Sequence, residues 1–130
     1  MAIEITATYA AVLALMMMGL FYYVTMLRAS ADVSINDGGN IALAERMRRH
    51  GNFVETVPMA LIVLALAEAA GMGATYVHAA GLILIASRVV HPFGVRHDKA
   101  ATFARIAGGS GTTIAILIPV ASLLFGLFGA

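Results

Sequence analysis

Four long stretches of the chain are almost entirely apolar, and polar residues gather between them. The stretches cover residues 5–27, 53–70, 75–91 and 106–128. A helix needs about 20 predominantly apolar residues to cross the roughly 30 Å hydrocarbon core of a bilayer, and each stretch approaches or exceeds that length. The pattern therefore predicts four transmembrane helices in a single domain that occupies residues 1–130.

Short connections between the stretches restrict how the helices can pack. Only residues 71–74 separate the second stretch from the third, so those two helices must run antiparallel. The first connection, residues 31–41, is rich in turn-forming Asp, Asn and Gly, and its Asn40 is placed to cap a second helix that begins before the membrane. His91 followed by Pro92 predicts the end of the third helix. We expect an all-α, up-and-down four-helix bundle.

Composition supports a membrane protein. Hydrophobic residues make up 61% of the chain and charged residues 12%, which is outside the range of a soluble domain of this length. The chain has no cysteine, so it supplies neither a disulfide nor a thiol nucleophile, and any sulfur chemistry must come with a ligand. A net charge of +1, with basic residues explained by topology, argues against nucleic-acid binding.

The basic residues predict the orientation of the bundle. All eight lie on the side of the first and third connections, and the hairpin at residues 71–74 has none. They are Arg28, Arg46, Arg48, Arg49, Arg88, Arg96, Lys99 and Arg105. By the positive-inside rule both basic connections are cytoplasmic and both termini lie on the non-cytoplasmic side. Glu4 and Glu68 fall at the opposite side, where we expect them to be no more than interfacial residues.

A polar stripe marks the start of the second apolar stretch. Arg48, Asn52 and Glu55 are spaced i, i+4 and i+7, so they share one face of a helix. A charged residue at the centre of a membrane helix costs roughly 2.5 to 3.5 kcal/mol, and less near its ends. One interpretation is structural, with Arg48 reaching the headgroups and the other two bonding to neighbouring helices. Because three polar residues share one face, we favour a ligand-binding site.

Glycines in the fourth stretch predict close packing. Gly108, Gly109 and Gly111 lie inside an apolar segment, where small residues let helix backbones approach each other. No metal site is predicted, because His50, His91 and His97 lack a metal-binding spacing.

The polar stripe also carries a family resemblance. The segment Arg48-Arg-His-Gly-Asn52-Phe-Val-Glu55-Thr-Val-Pro58, at the start of the second of four predicted membrane helices, resembles the MAPEG family (membrane-associated proteins in eicosanoid and glutathione metabolism), specifically its small bacterial members. In layout the resemblance covers the whole chain. It implies a homotrimer in the bacterial inner membrane, with glutathione as co-substrate in a cytoplasm-facing cleft between subunits. A lipophilic small molecule would arrive from the lipid bilayer as the second substrate.

The resemblance assigns site residues position by position. Arg48, Asn52 and Glu55 match the glutathione-binding stripe of the second helix. Arg88 matches an arginine near the cytoplasmic end of the third helix, and His91 falls where many members have tyrosine or histidine. The resemblance therefore places all five in the glutathione site.

Arg105 is the best match to the arginine that is proposed, in the leukotriene-synthase branch, to stabilise the glutathione thiolate, which makes it the predicted catalytic residue. Its spacing from Arg88 differs from that branch by a few residues. Val95 stands where that branch has a tyrosine, which argues against leukotriene-type chemistry.

The chemistry of glutathione agrees with these residue types. The planar guanidinium of arginine suits the two carboxylates of glutathione, and Glu55 can bind the ammonium group of glutathione. To lower a thiol pKa from about 8.5 to about 6 takes roughly 3.4 kcal/mol of selective anion stabilisation, at about 1.36 kcal/mol per unit. One close arginine in a partly dry cleft could supply that stabilisation.

Two functions remain open. The first is a glutathione-dependent transferase or peroxidase that acts on lipophilic electrophiles or lipid hydroperoxides. The second is a non-catalytic MAPEG-like scaffold or an accessory subunit of a membrane assembly. A channel or transporter is a lesser alternative, because four short helices without a discontinuous repeat offer little to build an ion path.

Overall fold

The structure, a computed structural model, describes residues 3–128, with side chains as far as residue 126. Its elements in chain order are α1 (Glu4–Ser30), α2 (Ile41–Ala69), α3 (Ala74–Val90), a 3₁₀ turn (His91–Gly94) and α4 (Phe103–Phe128). All four helices are long and apolar enough to cross a membrane, when α3 is counted together with the 3₁₀ turn. The prediction of an all-helical membrane protein with four spanning helices is confirmed.

The second helix begins well before its apolar stretch. Asn40 lies outside α2 in extended backbone, and its side-chain Oδ1 accepts a hydrogen bond from the backbone N–H of Leu43 at 3.1 Å. This is an N-cap, which satisfies an amide that has no partner within the helix. The predicted cap is therefore confirmed, and the basic run at residues 46–49 lies in α2 after its first turn.

The start of α1 is capped from another helix. Glu68, near the end of α2, accepts hydrogen bonds from the backbone N–H of Ile5 at 2.9 Å and of Thr6 at 2.8 Å. First-turn amides lack intrahelical acceptors, and a negative charge beside them is favourable. We expected Glu68 to be no more than an interfacial residue, and this was wrong. Because α1 and α2 are antiparallel, the last turn of α2 lies beside the first turn of α1.

Apolar side chains from all four helices meet in the centre of the bundle. Leu13 of α1, Phe53 and Val57 of α2, Leu84 of α3 and Ala115 of α4 form one buried cluster. A second, smaller cluster lies nearer the α2–α3 hairpin. In a bilayer the alternative surroundings of these side chains are lipid tails, so the cluster stabilises the bundle by close van der Waals packing. This core fixes the helices around the polar groups described below.

The contact between α3 and α4 is set by glycine. A Cβ built on Gly108 would lie 2.6 Å from Cβ of His91 and 2.7 Å from its Cα, and one on Gly111 would collide with the hydroxyl of Ser87. A Cβ on Gly109 would meet nothing within 4 Å. The predicted close packing is confirmed at Gly108 and Gly111. Within the protomer Gly109 makes no close approach, because it points away from the neighbouring helix.

The segment between α3 and α4 positions the start of α4. The third helix ends at Val90, as the His-Pro pair predicts. Thr102 then links the 3₁₀ turn to α4, because its hydroxyl donates to the carbonyl of Gly94 at 2.8 Å and accepts from the backbone N–H of Arg105 at 3.2 Å. The fourth helix therefore begins at Phe103, before its apolar stretch, and Arg105 lies in its first turn.

Candidate functional site

Two residues of the polar stripe form an exposed ion pair. Nη1 of Arg48 donates to Oε1 of Glu55 at 3.0 Å and Nη2 donates to Oε2 at 3.3 Å. The side chains are 52% and 54% exposed. Exposed pairs of this kind contribute only about 0.2 to 1 kcal/mol, because solvent screens both charges. A ligand that offers a carboxylate to Arg48 and an ammonium to Glu55 could therefore replace the pair at small cost.

The third stripe residue turns toward the bundle. Oδ1 of Asn52 accepts a hydrogen bond from Nη1 of Arg88 at 2.9 Å. This contact fixes the orientation of the amide, since its oxygen faces the guanidinium and its NH₂ group faces the other way. Asn52 thus lies between the exposed ion pair on α2 and a buried arginine on α3.

Arg88 is the most buried charged residue among those described, with only 2% of its surface exposed. It also donates to the hydroxyl of Thr56 at 3.3 Å and to the carbonyl of Gly108 at 3.0 Å, so it joins α2, α3 and α4. Its Nε has no acceptor, and no carboxylate of residues 3–126 pairs with it. A buried charge must be hydrogen-bonded to be tolerated, and here neutral oxygens carry that task. Within the protomer, Arg88 reaches the stripe only through Asn52.

His91 lies at the start of the 3₁₀ turn and is 5% exposed. Its backbone and Cβ pack directly over Gly108. The imidazole lies within electrostatic range of Arg88, Arg105 and Arg48. The structure thus gathers the residues that the resemblance assigns from α2, α3 and α4 around one end of the bundle.

Arg105 occupies the first turn of α4 beside this group. Its Nη1 donates to the carbonyl of Ala100 at 3.0 Å, which holds the side chain along the connection. No carboxylate of residues 3–126 forms an ion pair with it. Its charge is therefore available to an anion, and the free amides of a helix N-terminus add to the positive potential there.

An open cavity with polar and apolar walls borders Arg48 of the ion pair. Its volume is about 610 Å³, and it lies between the first connection and the start of α2. It is lined by Asn36, Asp37, Ala44, Met47 and Arg48. Small-molecule sites have volumes of roughly 300 to 1,000 Å³, so this space is large enough for part of a peptide-sized ligand.

The model of the MAPEG family matches residues 6–125 of the chain. The chain belongs to the MAPEG family. It is 34% identical over 121 residues to inner membrane protein YecN of Escherichia coli strain K12, a match that covers 93% of this chain and 91% of YecN. YecN of Escherichia coli O6:H1 strain CFT073 matches to the same extent. No solved structure matches the chain.

This MAPEG protein also has a polar cluster that the sequence analysis missed. Glu45 of α2 accepts from the backbone N–H of His97 at 2.8 Å and contacts its Nδ1 at 2.8 Å, while Arg49 donates to Glu45 at 3.2 Å and to the carbonyl of Val95 at 3.0 Å. These contacts hold the α3–α4 connection on α2, next to the site. The i, i+4 spacing of Glu45 and Arg49 was the available signal. The sequence spacing gives no sign that Glu45 and Arg49 contact the α3–α4 connection.

The same connection carries an exposed ion pair. Arg96 donates from Nε and Nη2 to the carboxylate of Asp98 at 2.9 and 2.7 Å. These hydrogen bonds hold the pKa of Asp98 below its usual range.

Residues 3–128 contain no group of three or more His, Asp or Glu side chains that could hold a metal ion.

Replacing Arg88 with methionine should lower the free energy of unfolding in detergent by about 1 to 3 kcal/mol. The change removes every donor while it keeps a long apolar side chain, so the acceptors on Asn52, Thr56 and Gly108 lose a charged partner in the interior. Removal of the buried charge offsets part of this loss. Chemical denaturation should report the decrease. The matched variant Arg96→Met, at an exposed arginine, should change the midpoint far less, and similar midpoints for both variants would contradict a structural role for Arg88.

Proposed function

We propose that this MAPEG protein is a glutathione-dependent transferase or peroxidase that acts on lipophilic electrophiles or lipid hydroperoxides. The observation that carries the proposal is the exposed pair of Arg48 and Glu55, with the amide of Asn52 oriented beside it. A cation, an anion and an amide donor on one helix face match the carboxylates and the ammonium group of glutathione.

The pose follows from charge. A carboxylate of glutathione binds the guanidinium of Arg48, the α-ammonium binds Glu55, and the amide of Asn52 donates to a peptide carbonyl. Binding replaces the weak Arg48–Glu55 ion pair with two ion pairs to glutathione, so neither side chain is left unpaired. The cavity next to Arg48 provides the space for the remainder of the tripeptide.

The thiol is the group that must be activated. In this proposal Arg105 faces the sulfur and stabilises the thiolate, because its charge is not neutralised by any carboxylate of residues 3–126. The thiolate then attacks an electrophilic carbon, where the C–S bond forms as the leaving group departs with its bonding electrons. With a hydroperoxide it attacks the terminal oxygen and breaks the O–O bond, which gives glutathione sulfenic acid and an alkoxide that takes up a proton. A second glutathione then converts the sulfenic acid to glutathione disulfide and water. Burial of His91 and Arg88 behind the site keeps that side of the cleft dry.

The proposed site lies between subunits of a homotrimer. Arg48 and Glu55 face away from their own bundle, and the same face of α2 continues with the exposed apolar residues Met59, Ile62 and Leu66. A second copy that covers these apolar residues would also close the polar cleft.

We place the basic end in the cytoplasm and both termini on the other side of the inner membrane, by the positive-inside rule and by likeness to YecN, which is named as an inner membrane protein.

One observation favours the second candidate, a non-catalytic scaffold or accessory subunit. Val95, which stands where the leukotriene-synthase branch has a tyrosine, is buried and offers only its backbone carbonyl, which Arg49 occupies. A catalytic hydroxyl is therefore missing from this position of the chain. Binding without turnover would assign this second function.

Equilibrium binding of glutathione to the detergent-purified protein tests the proposal. The wild type should bind saturably, and Arg48→Ala and Glu55→Ala should each weaken binding about tenfold, as expected for the loss of one charged hydrogen bond. Lys99→Ala removes a cation from an exposed part of the α3–α4 connection and serves as the matched control, with unchanged affinity. If the folded wild type binds no glutathione, the stripe is structural and the proposed enzyme is wrong.

A further inference from the structure

A groove runs between α1 and the end of α3, on a different face of the bundle from the polar stripe. It consists of two cavities that share Leu20 of α1 and Pro92 and Phe93 of the 3₁₀ turn. One cavity, of about 320 Å³, lies toward the middle of the membrane helices. The other, of about 430 Å³, opens at the basic end. We call this continuous space the α1–α3 groove.

The inner part of the groove is shaped for a hydrocarbon chain. Its wall is formed by Met16, Gly19 and Leu20 of α1 and by Arg88 and Val89 of α3. The guanidinium of Arg88 is turned to Asn52, Thr56 and Gly108, so the surface that faces the groove is almost entirely apolar. At Gly19 the wall is hollow, since a Cβ there would meet nothing within 4 Å. The ring of Phe93 is 78% exposed, so it stands beside the space without filling it. An apolar ligand or a lipid tail is what such a surface accepts.

The outer part of the groove is cationic. Arg49 and Arg96 line it together with Tyr23. Nε of Arg49 is buried without an acceptor among the described residues. Arg46 adds a third charge, because its guanidinium lies 3.8 Å from the centre of the Tyr23 ring and donates to the Tyr23 carbonyl at 2.7 Å.

Carboxylates only partly balance these charges. Arg49 pairs with Glu45, and Arg96 pairs with Asp98. Arg46 contacts Tyr23 and pairs with no carboxylate of residues 3–126, so the mouth of the groove has an excess positive charge. Tyrosine and arginine together at the end of membrane helices are typical of the headgroup level of a bilayer.

We propose that the α1–α3 groove binds one anionic phospholipid, with its phosphate at Arg46, Arg49 and Arg96 and one acyl chain along the inner wall. Apolar walls that end in a cluster of arginines complement a lipid that carries a negative headgroup above a hydrocarbon tail. The proposal does not depend on glutathione, because the groove contains neither residue of the Arg48–Glu55 pair, although Arg88 lines the groove and also contacts Asn52 of the stripe.

Lipid binding to the purified full-length protein, measured by native mass spectrometry, tests this site. Dioleoyl phosphatidylglycerol should bind at least about tenfold more tightly than dioleoyl phosphatidylcholine, since each arginine near an anionic headgroup contributes about fivefold in affinity. Arg46→Gln and Arg96→Gln should each weaken the phosphatidylglycerol complex about fivefold and leave the phosphatidylcholine complex unchanged. Lys99→Gln, which removes a charge outside the groove, should have no effect on either lipid.

A second variant tests the inner part of the groove. Gly19→Leu places a side chain into the hollow without a clash and should weaken phosphatidylglycerol binding about tenfold. Gly109→Leu, at another glycine whose Cβ would meet nothing within 4 Å, is the matched control and should bind as the wild type does. Neither variant should lower the unfolding midpoint, and Gly19→Leu should keep the wild-type affinity for glutathione if glutathione binds.

Three results would overturn the proposal. Equal affinity for the two phospholipids would show that the arginines do not select an anionic headgroup. Equal loss of binding in Gly19→Leu and Gly109→Leu would place the lipid elsewhere on the surface. Displacement of phosphatidylglycerol by oleate at equal concentration would show a site for free carboxylate amphiphiles instead of a phospholipid.

Discussion

Gly108→Ala is expected to lower the free energy of unfolding by about 2 kcal/mol, within the usual range for overpacking a filled interior. The new methyl group would lie 2.6 Å from Cβ and 2.7 Å from Cα of His91. These atoms belong to a backbone turn that follows α3, so no flexible side chain can move aside. The helices must separate, and the carbonyl of Gly108 then moves away from Arg88. Denaturant unfolding in detergent micelles measures the loss.

Gly109→Ala is the control for this prediction, one residue further along the same helix. A Cβ at Gly109 meets nothing within 4 Å, so the substitution has no steric cost within the protomer. Alanine is about 1 kcal/mol more favourable than glycine in a helix interior, and the variant should be as stable as the wild type or slightly more stable. Equal behaviour of the two variants would mean that the close approach of α4 to His91 is wrong.

The fold was largely predictable because a membrane limits the secondary structures that a spanning chain can form. The bilayer requires long apolar helices, and the chain contains four apolar stretches with short connections. Helix ends were less predictable. The start of α2 at Ile41 lies in a charged segment that hydropathy excludes, and only the Asn40 cap indicated it. The start of α4 depends on Thr102, whose hydroxyl bridges to Gly94 across a turn that sequence patterns do not reveal.

The site was predictable where it rests on one helix and not where it rests on packing. Helical spacing places Arg48 and Glu55 on one face, and the structure pairs them there. The same spacing gives no sign that Asn52 binds a buried Arg88 from α3. That contact depends on the distance between two helices, which is set by core residues elsewhere. The homotrimer stays a prediction for a related reason, since one chain does not specify how many copies assemble.

The geometry separates two roles within the proposed glutathione site. Arg48 sits in an exposed pair and can contribute to the position of the peptide, whereas Arg105 lies in the first turn of α4 without a carboxylate partner in residues 3–126. A residue that binds the ground state and the transition state equally changes affinity alone. A residue that stabilises the developing anion changes turnover.

Arg105→Ala is therefore expected to lower kcat about 100-fold while it changes the glutathione Kd less than about threefold, because loss of one preorganised donor to an anion typically costs at least that much in rate. Arg48→Ala should show the reverse, with weaker binding and a nearly unchanged kcat at saturating glutathione. Stopped-flow ultraviolet absorbance of the thiolate gives an independent readout, since Arg105→Ala should raise the pKa of bound glutathione. Arg105→Lys keeps the charge without the planar fork, and it should recover part of the thiolate signal. If Arg105→Ala and Arg48→Ala alter kcat and Kd to the same extent, both arginines act on binding, and thiolate stabilisation must come from another group.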